Sequence, residues 1–191
     1  MKFLKGHKVI IAFVILFVAA VTFFVFQPKP NKTAQEAFLG KLGVSGLSVK
    51  DMVSKLDSIT NEPTGSSASI SGTQVTIMDN DQKYVIKLPS DSFYLSMAPY
   101  INDVHPCTQH NLVSCRGEQF NQEFDVNITT KDGKVVLNQK MKSMSNGFIG
   151  VWLPRNIDAV LTIKYADLSV TIDIATFADN DTCLTTPLQL S

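Results

Sequence analysis

The chain has 191 residues, with 17 acidic and 17 basic side chains, a length that suits one ordinary domain or two small ones. Because the formal net charge is zero, no global field attracts nucleic acid or acidic lipid. The sequence contains no glycine-rich phosphate loop and no basic patch with interleaved aromatic residues, which argues against nucleotide and nucleic-acid binding. Hydrophobic residues make up 45% of the chain, and many of them lie in one N-terminal run.

This N-terminal run predicts a membrane anchor. Residues 9–26 form a stretch of 18 residues in which Thr22 is the single polar one. An apolar helix of that length spans about 27 Å, close to the hydrocarbon core of a bilayer. Lysines at positions 2, 5 and 8 precede the stretch, so the positive-inside rule places residues 1–8 in the cytoplasm as a short tail. Residues 27–32, with two prolines and two lysines, predict an extended linker.

A cleaved signal peptide is the alternative interpretation of the same segment. Val18, Ala19 and Ala20 weakly fit a small-residue cleavage site. Six more residues, five of them apolar, follow before the sequence becomes polar, and this length favours the uncleaved anchor. With either outcome the rest of the chain lies outside the cytoplasm. It is anchored to the cell membrane in the first case, and secreted or periplasmic in the second.

Residues 33–90 predict a small helical and hairpin region. Capping residues and apolar residues at helical spacing predict two short helices, over residues 33–42 and 48–59. Apolar residues then recur with a period of two on both sides of a turn at residues 79–81, a pattern typical of a β-hairpin. A short additional strand is predicted around residues 68–70.

Residues 91–191 predict an antiparallel β-sandwich that carries a Cys/His cluster. Beyond the cluster the sequence contains five alternating runs, with turn signals at Asp132-Gly133, Asn146-Gly147 and Ala166-Asp167. Strands at this spacing are typical of a small sandwich. The predicted fold class is therefore α+β, with an N-terminal membrane anchor, a small helical and hairpin region, and a C-terminal antiparallel β-sandwich.

The stretch HPCTQHNLVSCRGE concentrates the residues that can carry chemistry. It holds two of the three cysteines, Cys107 and Cys115, and two of the three histidines, His105 and His110. Thiolate sulfur is a soft donor and imidazole a borderline one, so the set suits Cu(I) or Zn(II). Cys183, near the C-terminus, could supply a third sulfur, although spacing alone does not bring it there.

Three alternatives are open for this cluster on spacing alone. A Cys107–Cys115 disulfide that closes the loop is favoured, because disulfides persist outside the cytoplasm. A metal site is the second alternative and a reactive thiol centre the third. Glu118 could accept a hydrogen bond from a ligand imidazole, although a solvated surface carboxylate is the more common role. Met97 is a further soft donor, although methionines in apolar runs more often fill the core.

Three stretches carry a family resemblance: SFYLSMAPYINDVHPCTQHNLVSCRGE, GFIGVWLPRN and TIDIATFADNDTCLTTPLQL. They resemble the CueP family of bacterial extracytoplasmic copper-binding proteins, and the helical stretch FLGKLGVSGLSVKDMVSKLD is similar as well. The resemblance implies a role in copper homeostasis and resistance in the cell envelope. It also implies that the three family cysteines correspond to Cys107, Cys115 and Cys183, which favours the metal site over the disulfide. The N-terminal anchor is a departure from the free periplasmic proteins of the family.

We therefore expect these three cysteines to bind copper, preferentially Cu(I) because thiolates are soft donors, with His105 or His110 as candidate additional ligands and zinc as a competitor. Binding should weaken as the pH falls, because ligation requires deprotonated sulfur. A Cys107–Cys115 disulfide would be an off state, and a thiol reductase would be needed to restore copper binding. A copper-acceptor protein is the second expected partner. The expected function is sequestration or delivery rather than enzymatic turnover, with stoichiometric reduction of Cu(II) by the thiols as a secondary hypothesis.

Two other functions fit the same residues. A thiol-disulfide oxidoreductase would use Cys107 and Cys115, but the sequence has no Cys-x-x-Cys and no thioredoxin-like pattern. It also has no Gly-x-Ser-x-Gly of a serine hydrolase. An interaction module would be a β-sandwich stapled by a structural disulfide, which should lose a few kcal/mol of stability on reduction.

Overall fold

The computed structural model describes residues 32–61 and 64–191. The predicted cytoplasmic tail, the anchor or signal at residues 9–26 and nearly all of the predicted linker lie outside these residues. Within the described part of the chain, none of the helices is both long and apolar enough to cross a bilayer. The anchor therefore stays a prediction from the sequence.

Two short helices begin the described chain, as the sequence pattern predicts. Helix α1 comprises Lys32–Lys41 and helix α2 comprises Val49–Asp57. The hydroxyl oxygen of Ser48 accepts a hydrogen bond from the backbone N–H of Asp51 at 3.2 Å, which satisfies one of the unpaired amides at the start of α2. The helix buries an apolar stripe, and its last residue, Asp57, is fully buried as well.

The first sheet contains three antiparallel strands in the order β1-β2-β3. They are β1 (Ser66–Ile70), β2 (Gln74–Asp79) and β3 (Gln82–Lys87). The turn between β2 and β3 places Asn80 at φ 51°, a left-handed backbone that asparagine tolerates better than most residues. The predicted hairpin and the strand before it are confirmed. Alternate residues of these strands pack with the two helices in one hydrophobic cluster.

Seven further strands form two sheets that pack face to face through a second hydrophobic cluster. The strands are β4 (Ser92–Met97), β5 (Glu123–Thr130), β6 (Val135–Lys142), β7 (Ile149–Pro154), β8 (Asp158–Tyr165), β9 (Leu168–Ala175) and β10 (Cys183–Leu184). Their orders are β10-β4-β7 and β6-β5-β8-β9. A 3-10 turn, Thr186–Leu188, follows β10. The described chain is mostly β-sheet with two helices, which confirms the α+β class and a sandwich-like C-terminal part.

One strand pair departs from the predicted antiparallel sandwich. Strand β10 runs parallel to β4, with Cys183 opposite Ser96 and Leu184 opposite Met97. A tight hairpin joins only antiparallel neighbours, whereas β10 reaches β4 after the chain has passed through the whole four-stranded sheet. The parallel pair places Cys183 beside the end of β4, where the loop with the other two cysteines begins.

Strand β4 lies between the two hydrophobic clusters, and all six of its residues are buried. Phe93, Leu95 and Met97 belong to the sandwich core, whereas Tyr94 belongs to the cluster formed by the helices and the first sheet. Successive side chains of a strand point to opposite faces, so β4 serves both halves of the protein. The boundary at residue 90 between the helical and hairpin region and the sandwich stays a prediction. Strand β4 lies after this boundary but also packs against the region before it.

Two glycines allow a close contact between the cysteine-containing loop and the turn that joins β6 to β7. Gly147 has φ 87°, and a Cβ atom at this position would lie 2.4 Å from the carbonyl oxygen of Gly117. The N–H of Gly117 donates a hydrogen bond to the carbonyl oxygen of Asn146 at 2.7 Å. This contact holds the turn, which also carries Phe148, against the loop.

We expect Gly147→Ala to reduce the free energy of unfolding more than Gly133→Ala. Both glycines have left-handed backbone, with φ 87° and 89°, where an L-residue costs about 1–2 kcal/mol. Nothing lies within 4 Å of a Cβ at Gly133, whereas the collision at Gly147 adds about 1–3 kcal/mol of overpacking. Urea denaturation of both variants measures the difference. Equal losses would contradict the close contact with Gly117.

Candidate metal centre

The three cysteines and His110 converge at one place in the structure. One potential ligand atom from each of the four residues lies within 4.8 Å of the others. Cys107, His110 and Cys115 belong to the loop between β4 and β5, and Cys183 begins β10. The structure therefore brings together four of the five residues that the sequence predicts as ligands, and it places His105 outside this group.

Backbone hydrogen bonds hold the cysteine-containing loop between the first sheet and β10. The N–H of Ile70, at the end of β1, donates to the carbonyl oxygen of His110 at 2.8 Å. On the other side, the N–H of Cys183 donates to the carbonyl oxygen of Thr108 at 3.2 Å. Because the loop is bonded on both sides, its side chains are fixed relative to β10.

The sulfur atoms of Cys107 and Cys115 are too far apart for a disulfide bond and close enough to contact one ion. The Sγ atoms of Cys107 and Cys115 are 3.9 Å apart, whereas a disulfide bond measures about 2.05 Å. The Sγ atom of Cys183 and the Nδ1 atom of His110 are 3.6 Å apart. Two sulfurs that each lie about 2.3 Å from one ion, as in zinc sites, are at most about 4.6 Å apart. All three cysteines are free thiols, so the disulfide that spacing alone favoured is not formed in this structure.

A carboxylate from helix α2 holds His110. The Nε2 atom of His110 lies 2.7 Å from Oδ1 of Asp57, which is 53 residues earlier in the chain, and neither side chain is exposed to solvent. The imidazole also packs against Phe148, with ring centroids 4.5 Å apart. Because the carboxylate engages Nε2, the nitrogen that faces Cys183 is Nδ1.

Glu118, which the sequence suggested as an acceptor for a ligand imidazole, makes its hydrogen bonds elsewhere. Its carboxylate accepts from the backbone N–H groups of Ile101 at 2.6 Å and Asn102 at 3.1 Å. The hydrogen bond from Ile101, followed by those from Gln119 and Asn102, lowers the pKa of Glu118 to about 2. The carboxylate that contacts an imidazole of the cluster is Asp57 instead. The sequence contained one sign of this contact, because Asp57 lies on the apolar stripe of α2, where a carboxylate is unusual.

Burial and hydrogen bonding set the protonation of the cluster. Burial acts to lower the pKa of His110, but hydrogen bonds to Asp57 and to the Cys107 and Cys115 sulfurs raise that pKa well above its ordinary value. A hydrogen bond with Cys183 lowers the pKa of Cys115 to about 4, against the opposing effect of partial burial. The same hydrogen bond, together with burial, raises the pKa of Cys183. At neutral pH, these opposite pKa shifts favour a thiolate at Cys115 and a protonated thiol at Cys183.

A cavity of about 250 Å³ gives access to two of the sulfur atoms. It is lined by His105, Cys107, Ser114, Cys115, Arg116 and Phe148. Cys107 and Cys115 are partly exposed, whereas Cys183 and His110 are buried. An ion that enters through this cavity meets Cys107 and Cys115 first. His105 lines the cavity without joining the group of four, so its role as a ligand stays a prediction.

Comparisons with known proteins agree with this geometry. A family model described as the periplasmic copper-binding protein CueP matches residues 51–189. A solved structure described as "Crystal Structure of S.CueP" is similar over 82% of this chain and 97% of that chain, with 41% sequence identity and a TM-score of 0.78. No curated protein matches the chain.

The fold and the cluster define a class of small β-rich proteins with a buried Cys/His group able to hold a metal ion. The residues matched by the family model include all four members of that group and also Asp57. The chain belongs to the CueP family. The resemblance stated from the sequence is confirmed.

We expect the rate of alkylation of Cys115 by iodoacetamide to be nearly constant between pH 6 and pH 8. A thiol with a pKa of about 4 is fully ionised throughout this range, whereas an ordinary thiol, with a pKa near 8.5, gains about tenfold in thiolate for each pH unit. Peptide mapping by mass spectrometry follows Cys115, with a free cysteine peptide as the reference.

The variant Cys183→Ala tests the cause of this ionisation. It removes the hydrogen-bond donor that is the largest influence on the pKa of Cys115, so the alkylation rate of Cys115 should rise with pH between 6 and 8. A rate in the parent protein that rises in parallel with that of the free peptide would show that Cys115 is not a preformed thiolate.

Proposed function

We propose that this protein binds Cu(I) outside the cytoplasm through Cys107, Cys115 and Cys183, with His110 as a fourth ligand, and that it sequesters or delivers the ion in copper homeostasis and resistance. The observation that carries the proposal is the convergence of three sulfurs and one imidazole nitrogen within 4.8 Å of one another. Membership of a family described by periplasmic copper binding supports it.

The donor set supports Cu(I) as the ion. Thiolate sulfur is a soft ligand that selects Cu(I) or Zn(II), and carboxylate-preferring ions such as Mg²⁺ or Ca²⁺ are poorly matched to it. Three cysteines and one histidine also form a known zinc set, so zinc is the natural competitor. The family description names copper, and this decides in favour of copper.

The burial of the ligands supports binding followed by transfer. Cys107 and Cys115 are the accessible ligands, and Cys183 and His110 are the enclosed ones. A copper-acceptor protein could exchange ligands with the exposed pair before the buried pair releases the ion. Oxidation of Cys107 and Cys115 to a disulfide would remove both accessible ligands, and a thiol reductase would then restore the site.

The family description and the N-terminal sequence support a location outside the cytoplasm. The periplasmic location named for the family places the folded part outside the cytoplasm. Residues 9–26 would anchor that part to the cell membrane, with residues 27–32 as the linker, residues 33–90 as the helical and hairpin region and residues 91–191 as the sandwich. A cleaved segment at residues 9–26 would release the same folded part.

A thiol-disulfide oxidoreductase is the second candidate function, and one observation favours it. Cys115 has a pKa lowered to about 4, as activated cysteines do, and the Cys107 sulfur lies 3.9 Å away. Disulfide exchange that persists after metal removal would support this function. In this function Cys183 and His110 would act only by lowering the pKa of Cys115, whereas metal binding uses all four residues as ligands.

We expect each of the changes Cys107→Ser, Cys115→Ser and Cys183→Ser to weaken Cu(I) binding by more than about tenfold, or 1.4 kcal/mol, because each removes a sulfur ligand. The reduced protein is titrated with Cu(I) under anaerobic conditions against a colorimetric chelator. Ser114→Ala is the matched control, because Ser114 lines the same cavity without belonging to the ligand group, and its affinity should equal that of the parent.

Two outcomes of this titration would contradict the proposal. A Cys183→Ser protein that binds as tightly as the parent would exclude the three-sulfur site. Zinc that displaces Cu(I) at equal concentration would exclude copper as the selected ion.

A further inference from the structure

Asp57 makes hydrogen bonds through both oxygens of a fully buried carboxylate. Oδ1 accepts from the Nε2 atom of His110 at 2.7 Å and from the side-chain amide of Asn146 at 3.1 Å. Oδ2 accepts from the hydroxyl groups of Tyr94 at 2.7 Å and Ser96 at 2.9 Å. Both Asp57 and His110 are completely enclosed. The carboxylate is therefore held by four side chains and cannot turn away from the imidazole.

We propose that Asp57 is a positioning residue that fixes the imidazole of His110 with Nε2 as the hydrogen-bond donor and Nδ1 as the metal ligand. This inference rests on the proposed copper function and adds a residue outside the ligand group. A carboxylate has no proton to donate, so the hydrogen between Oδ1 and Nε2 belongs to the ring. In the neutral ring that would bind a metal ion, the lone pair of Nδ1 is then directed to the side of Cys183, whose sulfur lies 3.6 Å away.

The surroundings of Asp57 are adapted to this arrangement. Gly150 on β7 faces the hydroxyl group of Tyr94, and a Cβ atom at Gly150 would lie 1.9 Å from that oxygen and 3.1 Å from Oδ2 of Asp57. Only glycine leaves room for the hydrogen bond between Tyr94 and Asp57. Asn146 also donates to the backbone carbonyl oxygen of Asp57, which fixes the main chain at the end of α2 as well as the side chain.

A role in positioning differs from a role in folding or in charge neutralisation. Histidine ligands commonly donate their second N–H to a carboxylate, and loss of that partner lowers metal affinity about 10–100-fold. A partner that only supported the fold would affect stability and leave the metallated nitrogen unchanged. A partner that acted only through its charge would be replaced poorly by a neutral amide, whereas a positioning partner needs only an oxygen acceptor.

The direct test is nuclear magnetic resonance of the full protein with ¹⁵N-labelled histidine, before and after one equivalent of Cu(I). We expect the Nδ1 signal of His110 to shift on metal binding, while Nε2 remains protonated and bonded to Asp57. Cu(I) at Nε2 would overturn this inference alone. Cu(I) bound with unshifted His110 signals would overturn it together with the place of His110 in the ligand set, while copper binding by the cysteines would stand. A parent protein that does not bind Cu(I) would overturn the proposed function and this inference with it.

Three variants separate the roles of Asp57. In Asp57→Asn, the amide oxygen can face His110 and Asn146 while the amide nitrogen faces the two hydroxyl groups, so Cu(I) affinity should stay within about threefold of the parent. Asp57→Ala removes the acceptor and should lower affinity about 10–100-fold. Ser96→Ala is the matched control, because it removes a donor to Oδ2 and leaves the contact of Oδ1 with His110.

The pattern of affinities decides between the roles even if one variant is unstable. Equal losses in Asp57→Asn and Asp57→Ala would indicate a charge effect and overturn positioning. A loss in Ser96→Ala as large as that in Asp57→Ala would indicate a general loss of structure. Should Asp57→Ala not fold, retention of affinity in Asp57→Asn together with the Nδ1 shift in the parent supports the inference, and loss of affinity in Asp57→Asn overturns it.

Discussion

The hydrogen bond between Asp57 and His110 is the interaction on which the rest of the site depends. Burying an ionised carboxylate away from water costs several kcal/mol of free energy unless hydrogen bonds compensate for the lost hydration. Here the compensation comes from His110, Tyr94, Ser96 and Asn146. These residues belong to the cysteine-containing loop, to β4 and to the turn between β6 and β7. Helix α2, the loop, the strand and the turn must therefore all be in place before the carboxylate is satisfied.

This requirement explains small and polar residues at positions where the fold would otherwise bury apolar ones. Ser96 is fully enclosed in β4 because its hydroxyl group bonds Asp57, and its neighbour across the sheet is Gly150, which leaves room for Tyr94. The same arrangement fixes the ligands in advance. Because the loop is bonded to β1 and to β10, a metal ion has little chain to order when it binds, and less free energy is lost on binding.

Local patterns in the sequence predicted most of the elements but only part of the site. Helix α2 and the hairpin follow from capping residues and from periods of 3.6 and 2, which depend on neighbouring residues. The parallel pairing of β10 and the partnership of Asp57 with His110 join distant segments, and no local pattern encodes them. His105 and His110 both flank Cys107, so spacing could not show that only His110 would be enclosed with the sulfurs. The place of Cys183 came from family resemblance rather than from spacing.

X-ray absorption spectroscopy at the copper edge tests the central claim most directly. The claim is that one ion is shared by the sulfurs of Cys107, Cys115 and Cys183 and by Nδ1 of His110. For the reduced protein loaded with one equivalent of Cu(I), we predict three sulfur scatterers and one imidazole, with the imidazole contribution absent in His110→Gln. Two sulfur scatterers, or three without an imidazole, would contradict the account.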